Sequence, residues 1–89
     1  MAGKAYTVLV DGRAAKEIAE LERDIQRRIV TKIESLATNP RPNGVDKLKS
    51  NDDLYRVRVG DYRIIYQIRD RELIVLVVRV GHRREVYRK

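Results

Sequence analysis

The sequence predicts an α+β fold: an N-terminal strand and a helical hairpin packed on one face of a mostly antiparallel four-stranded sheet, in the order β-α-α-β-β-β. Three observations predict it. One apolar stripe at helical spacing fills residues 13–37, a Pro/Gly-containing loop closes it at 39–44, and most of the remainder alternates with the period of strands. At 89 residues the chain is expected to form one domain, 1–89, with a single modest core.

Ala5–Val10 (AYTVLV) reads as the first strand. Asp11-Gly12 ends it, and Asp11 is placed to cap the helix that follows. Across Arg13–Ala37 the residues Ala14, Ile18, Leu21, Ile25, Ile29, Ile33 and Leu36 step by three or four. One unbroken helix of that length would span roughly 36 Å, more than a compact domain this small accommodates. Two helices are therefore expected, broken near Glu22–Asp24, with Asp24 capping the second. Val45–Ser50 (VDKLKS) is a candidate short additional strand. Leu54–Ile68 (LYRVRVGDYRIIYQI) carries two alternating runs around Gly60-Asp61, which suits a two-residue hairpin turn with Gly first. Val59 then faces Tyr62 and Arg58 faces Arg63. Glu72–Val80 (ELIVLVVRV) is apolar almost throughout, as a central strand is, so the first strand is expected on its free side. A turn at Asp70-Arg71 would pair Ile68 with Leu73 and Ile64 with Val77.

Alternation sends Tyr55, Val57, Val59, Tyr62, Ile64, Tyr66 and Ile68 to the helix-covered face. Arg56, Arg58 and Arg63 fall on the other. Like charges directly across a strand pair are destabilising, so a polyanion is expected to lie there. The expected register adds Ile65, Ile74, Leu76 and Val78 to the same face, as an apolar strip for a protein partner. The net charge of +7 is concentrated in the same half: residues 1–52 hold ten Lys+Arg against eight Asp+Glu (+2), residues 53–89 ten against five (+5). All but one of the latter basic residues are arginine, whose fork matches phosphate.

The chemistry this composition allows is narrow. Without cysteine there is no disulfide framework, thiolate nucleophile or zinc cluster. With one histidine and scattered carboxylates, no metal and no cofactor are expected. The N-terminal apolar run is too short for a signal peptide and nothing approaches ~20 apolar residues, so a soluble cytoplasmic protein with no membrane partner is expected. His82 follows Val80 at spacing two, which the expected register puts on the face of Arg63. It is either structural or the group whose proton moves near neutral pH. Tyr87 either covers the sheet end or stacks on a base and exchanges a proton. Cations with one or two proton-transfer groups suffice for RNA cleavage, because the substrate 2′-hydroxyl supplies the nucleophile.

YRVRVGDYRIIYQI, a short turn, an apolar strand and VGHRREVY together resemble the RelE toxins, within the broader RelE/ParE group, and the element order matches over essentially the whole chain. The resemblance implies a RelE-like fold and a ribosome-dependent endoribonuclease that cuts mRNA in the decoding site. It also implies a cognate, RelB-like antitoxin, with DNA contacted only through the antitoxin complex. By the same resemblance, Arg56 and Arg58 stand at the family's basic pair, which is often lysine. Arg63 matches the arginine after the hairpin turn, Arg83 the arginine after Val-Gly, and Tyr87 the C-terminal tyrosine. His82 falls where some members carry lysine. Arginine at position 58 is a poor base, since a guanidinium stays protonated in proteins. Arg56, Arg58 and Arg63 are therefore assigned to phosphate and transition-state charge, with Arg84 adding phosphate-binding charge. Proton abstraction falls to His82 or Tyr87, and leaving-group stabilisation or protonation to Arg83. With two residues after Tyr87, there is little room for the C-terminal helix that gates the site in some relatives. Two other readings stay open: a ParE-like gyrase poison with the same fold, whose members tend to lack the constellation of Arg83 and Tyr87 with the hairpin arginines, and a non-catalytic RNA- or ribosome-binding module served by the arginine patch alone.

Overall fold

The computed structural model describes residues 5–48 and 53–82. Strand β1 (Thr7–Val10) leads into helices α1 (Gly12–Ala19) and α2 (Arg23–Ser35). Strands β2 (Asp46–Lys47), β3 (Leu54–Val59), β4 (Tyr62–Arg69) and β5 (Ile74–His82) follow. The sheet has five strands in the order β1-β5-β4-β3-β2, with β1 parallel to β5 and every other pair antiparallel. The fold is α+β, as the sequence predicts, with the candidate strand at 45–50 present as the two-residue β2.

The start of α1 is set locally, and the break between the helices by hydrogen bonds both within and between them. Asp11 Oδ1 accepts the Arg13 N–H at 3.2 Å and so caps α1. The break between the helices comes earlier than expected. Glu22, not Asp24, is the N-cap of α2, and its side chain makes no capping bond; Asp24 lies in the first turn, where a carboxylate favours the positive end of the helix dipole. No Gly or Pro marks the break, because one local bond and one bond from α2 finish α1. Leu21 N–H tightens onto the Ile18 carbonyl at 3.1 Å, and Gln26 Nε2 donates to that same carbonyl at 3.0 Å.

The core lies between the helices and one sheet face. Ala14, Ile29, Ile33 and Leu36 pack on Val57, Ile64, Tyr66, Ile68, Val75, Val77 and Val80, with Tyr55, Val59 and Tyr62 at the margin. The predicted inward set of the hairpin is therefore the observed one. Tyr66 is fully buried. Its hydroxyl donates to the Pro40 carbonyl at 2.7 Å, its ring stacks on Tyr55 at 6.1 Å, and burial pushes its pKa up.

Two details of the β4–β5 pair depart from expectation. The connection is Asp70–Leu73, closed by Arg69 opposite Ile74, so Ile68 faces Val75 rather than Leu73. A two-residue turn needs positive φ at its centre, and Asp70-Arg71 offers no glycine. The longer loop places only Leu73 in the left-handed region, at φ 55°. This shift of two residues leaves Ile74 and Leu76 on their expected face, because side chains alternate with period two. A bulge between Ile65 and Tyr66 on the β4 side then absorbs Val78, so that Ile64 faces Val80 rather than Val77. Without it Ile64 would face Arg79, and a guanidinium would enter the core. One extra residue reverses the faces beyond it.

The β4–β5 loop is tied down by charge. Asp70 accepts from Arg41 at 2.9 and 3.2 Å and from the Tyr6 hydroxyl at 2.7 Å, while Arg41 lies 5.3 Å over the Tyr55 ring. The Arg41 and Tyr6 bonds hold the Asp70 carboxyl below its usual range, and the Asp70 bond raises Tyr6. A depressed carboxyl pKa contributes stability above its unfolded value of about 4 and loses it as pH falls through the folded value. Thermal melts from pH 7 down to pH 2.5 are expected to show a steeper acid loss for the parent than for D70N; identical acid limbs would dismiss this contribution.

Candidate functional site

The β3–β4 turn gathers the arginines. Gly60 takes φ 59°, while Asp61 stays out of the left-handed region, the pattern of a hairpin turn with Gly first. Arg58 stands opposite Arg63 and Arg56 opposite Ile65, on the sheet face that is not part of the core, with Arg58 at the edge that also borders α2. The three guanidinium-bearing residues line one depression of about 220 Å³, completed by Gly44 and Asp46. The geometry on which the sequence reading depends is therefore present.

Each arginine sits differently. Arg58 is exposed. Arg63 is only 9% exposed, and its Nη1 donates to the Tyr62 carbonyl at 3.3 Å. No carboxylate among the described residues forms an ion pair with it. A buried cation beside a second cation is energetically costly, and an anion that binds there relieves that cost. Arg56 is paired with Asp46, at 3.1 Å. Sequence reasoning missed that carboxylate; its signal was an Asp in the candidate strand, which pairs directly opposite Arg56. Both side chains are substantially exposed, and such a surface pair contributes ~1 kcal/mol or less, so a phosphate can displace the carboxylate.

His82 is not where the sequence placed it. The bulge puts it opposite Tyr62, on the helix-covered face, with the two rings edge-on at 5.7 Å. Gly81, not His82, faces Arg63. Arg83, Arg84 and Tyr87 lie outside the described residues. The apolar strip is also less open than expected: Ile65 is buried at 6%, Ile74 and Leu76 are half-buried on the arginine face, and Val78 sits in the bulge. Among the described residues the exposed large apolar side chains are instead Leu9 and Val10 on the sheet edge and Val30 on α2, which local alternation does not single out. Among the described residues no helix is long and apolar enough to cross a membrane.

A family model, that of the ParE toxin of type II toxin-antitoxin systems, matches residues 8–87. The mRNA interferase toxin RelE of Escherichia coli is 32% identical over 87 residues, spanning 93% of this chain and 90% of that protein. The chain belongs to the RelE/ParE family of toxins. Solved structures of the family superpose closely on it. In the archaeal RelE-RelB complex from Pyrococcus horikoshii the matching chain gives a TM-score of 0.80 at 28% identity, over 91% of this chain and 98% of that one. In the RelBE2 toxin-antitoxin complex from Mycobacterium tuberculosis it gives 0.80 at 27% identity, over 89% and 92%. The family resemblance read from the hairpin and the Val-Gly segment thus holds for sequence and fold together.

Proposed function

We propose that this toxin is a ribosome-dependent endoribonuclease that cuts mRNA without a metal ion, and that a cognate antitoxin restrains it. The observation that carries the reading is the convergence of Arg56, Arg58 and Arg63 on one depression of the sheet face turned away from the helices. In the proposed step the 2′-hydroxyl oxygen of the substrate attacks the adjacent phosphorus. The bond to the 5′-oxygen breaks, leaving a 2′,3′-cyclic phosphate and a 5′-hydroxyl end. Arg58 and Arg63 neutralise the charge that builds on the phosphorane oxygens, and Arg56 exchanges Asp46 for a flanking phosphate. His82 is turned to the other face, against Tyr62, so the 2′-hydroxyl proton passes to Tyr87 as its phenolate, and the departing 5′-oxygen is stabilised or protonated by Arg83, both roles by family resemblance.

The partner half of the reading is supported by relatives solved as toxin–antitoxin complexes. Carboxylates of an antitoxin would meet the same arginines, which makes the complex salt-sensitive. Co-expression with the neighbouring reading frame is expected to rescue growth; toxicity indifferent to every neighbouring frame would count against it.

Incubation with mRNA-programmed ribosomes, followed by mapping of new 5′ ends, tests the nuclease reading. Cuts are expected within the ribosomal decoding site. Inhibition of DNA gyrase with intact mRNA would replace this reading by the ParE-like one. Within the assay, Y87F is expected to lose about 10²–10⁴-fold in rate, the usual worth of a proton-transfer group, and H82A to stay within about threefold of the parent. An H82A rate as low as that of Y87F would return His82 to the mechanism.

A further inference from the structure

A second basic surface adjoins the first. Between α2 and the β3–β4 turn runs a groove of about 1000 Å³, bordered by Arg27, Arg28 and Lys32 from the helix and by Arg58 and Gly60 from the hairpin. Arg28 reaches across it: a Cβ placed on Gly60 would meet Arg28 Nη2 at 3.4 Å. Arg58 borders both this groove and the depression that holds Arg56 and Arg63. The two sites are thus joined at the sheet edge, beyond the point where β2 stops pairing with β3 at Arg56.

The groove is electrostatically uncompensated. Four cations, Arg27, Arg28, Lys32 and Arg58, face a single bordering carboxylate, Asp24. None of the four forms an ion pair among the described residues. Arg28 and Lys32 are four apart on one helix face, where like charges destabilise the helix. Val59 is the one apolar side chain among the residues that line it, so it lacks the aromatic and aliphatic anchors on which a protein segment depends. A chain of evenly spaced anions fits better, and arginine forks fit phosphodiesters.

We propose that an RNA strand leaves the arginine depression across the β3–β4 turn and continues along α2, where Arg27, Arg28 and Lys32 hold phosphates outside the cut site. This inference deepens the nuclease reading and rests on it for the occupant of the depression. The α2 cations contribute affinity and register, whereas the sheet arginines contribute to the chemical step.

The test uses the full chain and the double variant R28A/K32A, with R28K/K32R as the charge-retaining control and melting curves confirming that each folds. The probe is mRNA-programmed ribosomes, titrated at several salt concentrations, with single-turnover cleavage followed at saturating toxin. R28A/K32A is expected to bind about tenfold more weakly at ~0.1 M salt, with the slope of log affinity against log salt shallower by about 1–2, since each single-strand phosphate contact accounts for ~0.7. Its cleavage rate at saturation is expected to stay within about twofold of the parent, and R28K/K32R to restore affinity. Should R28A/K32A misfold, R27Q/R28Q carries the same expectation. Unchanged affinity and slope would overturn the proposal while leaving cleavage, and so the nuclease reading, intact. Weakened antitoxin binding with unchanged ribosome binding would also overturn it and assign the groove to the antitoxin. Ribosome binding that depends on Arg28 and Lys32, in a parent that cuts no mRNA, would uphold the track and refute the nuclease.

Discussion

Arg63→Met is expected to slow mRNA cleavage on programmed ribosomes by about 10²–10³-fold, the usual loss when one positioned donor to a developing oxyanion is removed. Methionine keeps most of the buried aliphatic stem, so packing around Arg63, 9% exposed, is largely retained. Stability should hold or rise slightly, because a cation directly opposite Arg58 is removed. Activity and stability then move in different directions, which separates a functional arginine from a structural one. Arg63→Lys is expected to recover only part of the rate, since an ammonium cannot fork onto two oxygens. Single-turnover cleavage with matched melting curves checks both. R63M cutting at the parental rate would remove Arg63 from the chemistry; R63M melting far below the parent would show the guanidinium to be a folding element instead.

Ile64→Ala is expected to be the most damaging of the simple core truncations for stability. Ile64 is fully buried at the centre of the sheet, on β4 between Val57 of β3 and Val80 of β5, under helix α2 with Ile29 and Ile33. Removing three carbons there leaves a cavity that strands held on both sides cannot close. A loss of about 2–5 kcal/mol follows, and for a domain this small each kcal/mol lowers Tm by about 4–8 °C. Urea denaturation should show a lower midpoint at unchanged slope. A loss below about 1 kcal/mol would mean that the helices settle into the space, and that the sheet is less rigid than its register implies. Ile64 also lies next to Arg63, so partial opening at this point is expected to loosen the arginine depression before the fold as a whole is lost.

The parts of this molecule that were legible in its sequence are those governed by neighbours along the chain. Asp11 caps α1 through a bond to Arg13, two residues away. Gly60-Asp61 makes a turn of the expected kind, and alternation from that turn outward sorts seven hairpin residues onto the core side, four of them in the core and three at its margin, and three arginines onto the other face. Gly supplies the positive φ, the turn sets the register, and period two does the rest. The family followed from that stretch together with the apolar strand and the Val-Gly segment after it.

The parts that were not legible depend on partners distant in sequence. The helix break falls before Glu22 because Gln26 satisfies a carbonyl of the preceding helix. The 70–73 loop is anchored by Arg41 and Tyr6, residues 29 and 64 positions away from Asp70. Asp46 neutralises Arg56 from a two-residue strand. The bulge at Val78 exists because a regular register would drive Arg79 inward. Instead Arg79 Nε reaches Glu17 Oε2 at 3.0 Å, and Val80 N–H meets Glu17 Oε1 at 2.8 Å. That single irregularity turned His82 from the arginine face to the tyrosine face, and with it the choice of proton-transfer group.

Local chemistry alone therefore determined the element types, the hairpin, the inward and outward faces of that hairpin, and the clustering of positive charge. Tertiary packing decided the strand register beyond the hairpin, the side on which His82 lies, the carboxylate that holds Arg56, and the meeting of α2 with the turn at Gly60. The physical reason is range. Turn geometry and side-chain alternation act between neighbours, whereas the exclusion of a charge from the core and the satisfaction of a distant hydrogen-bonding group are known only once the layers close.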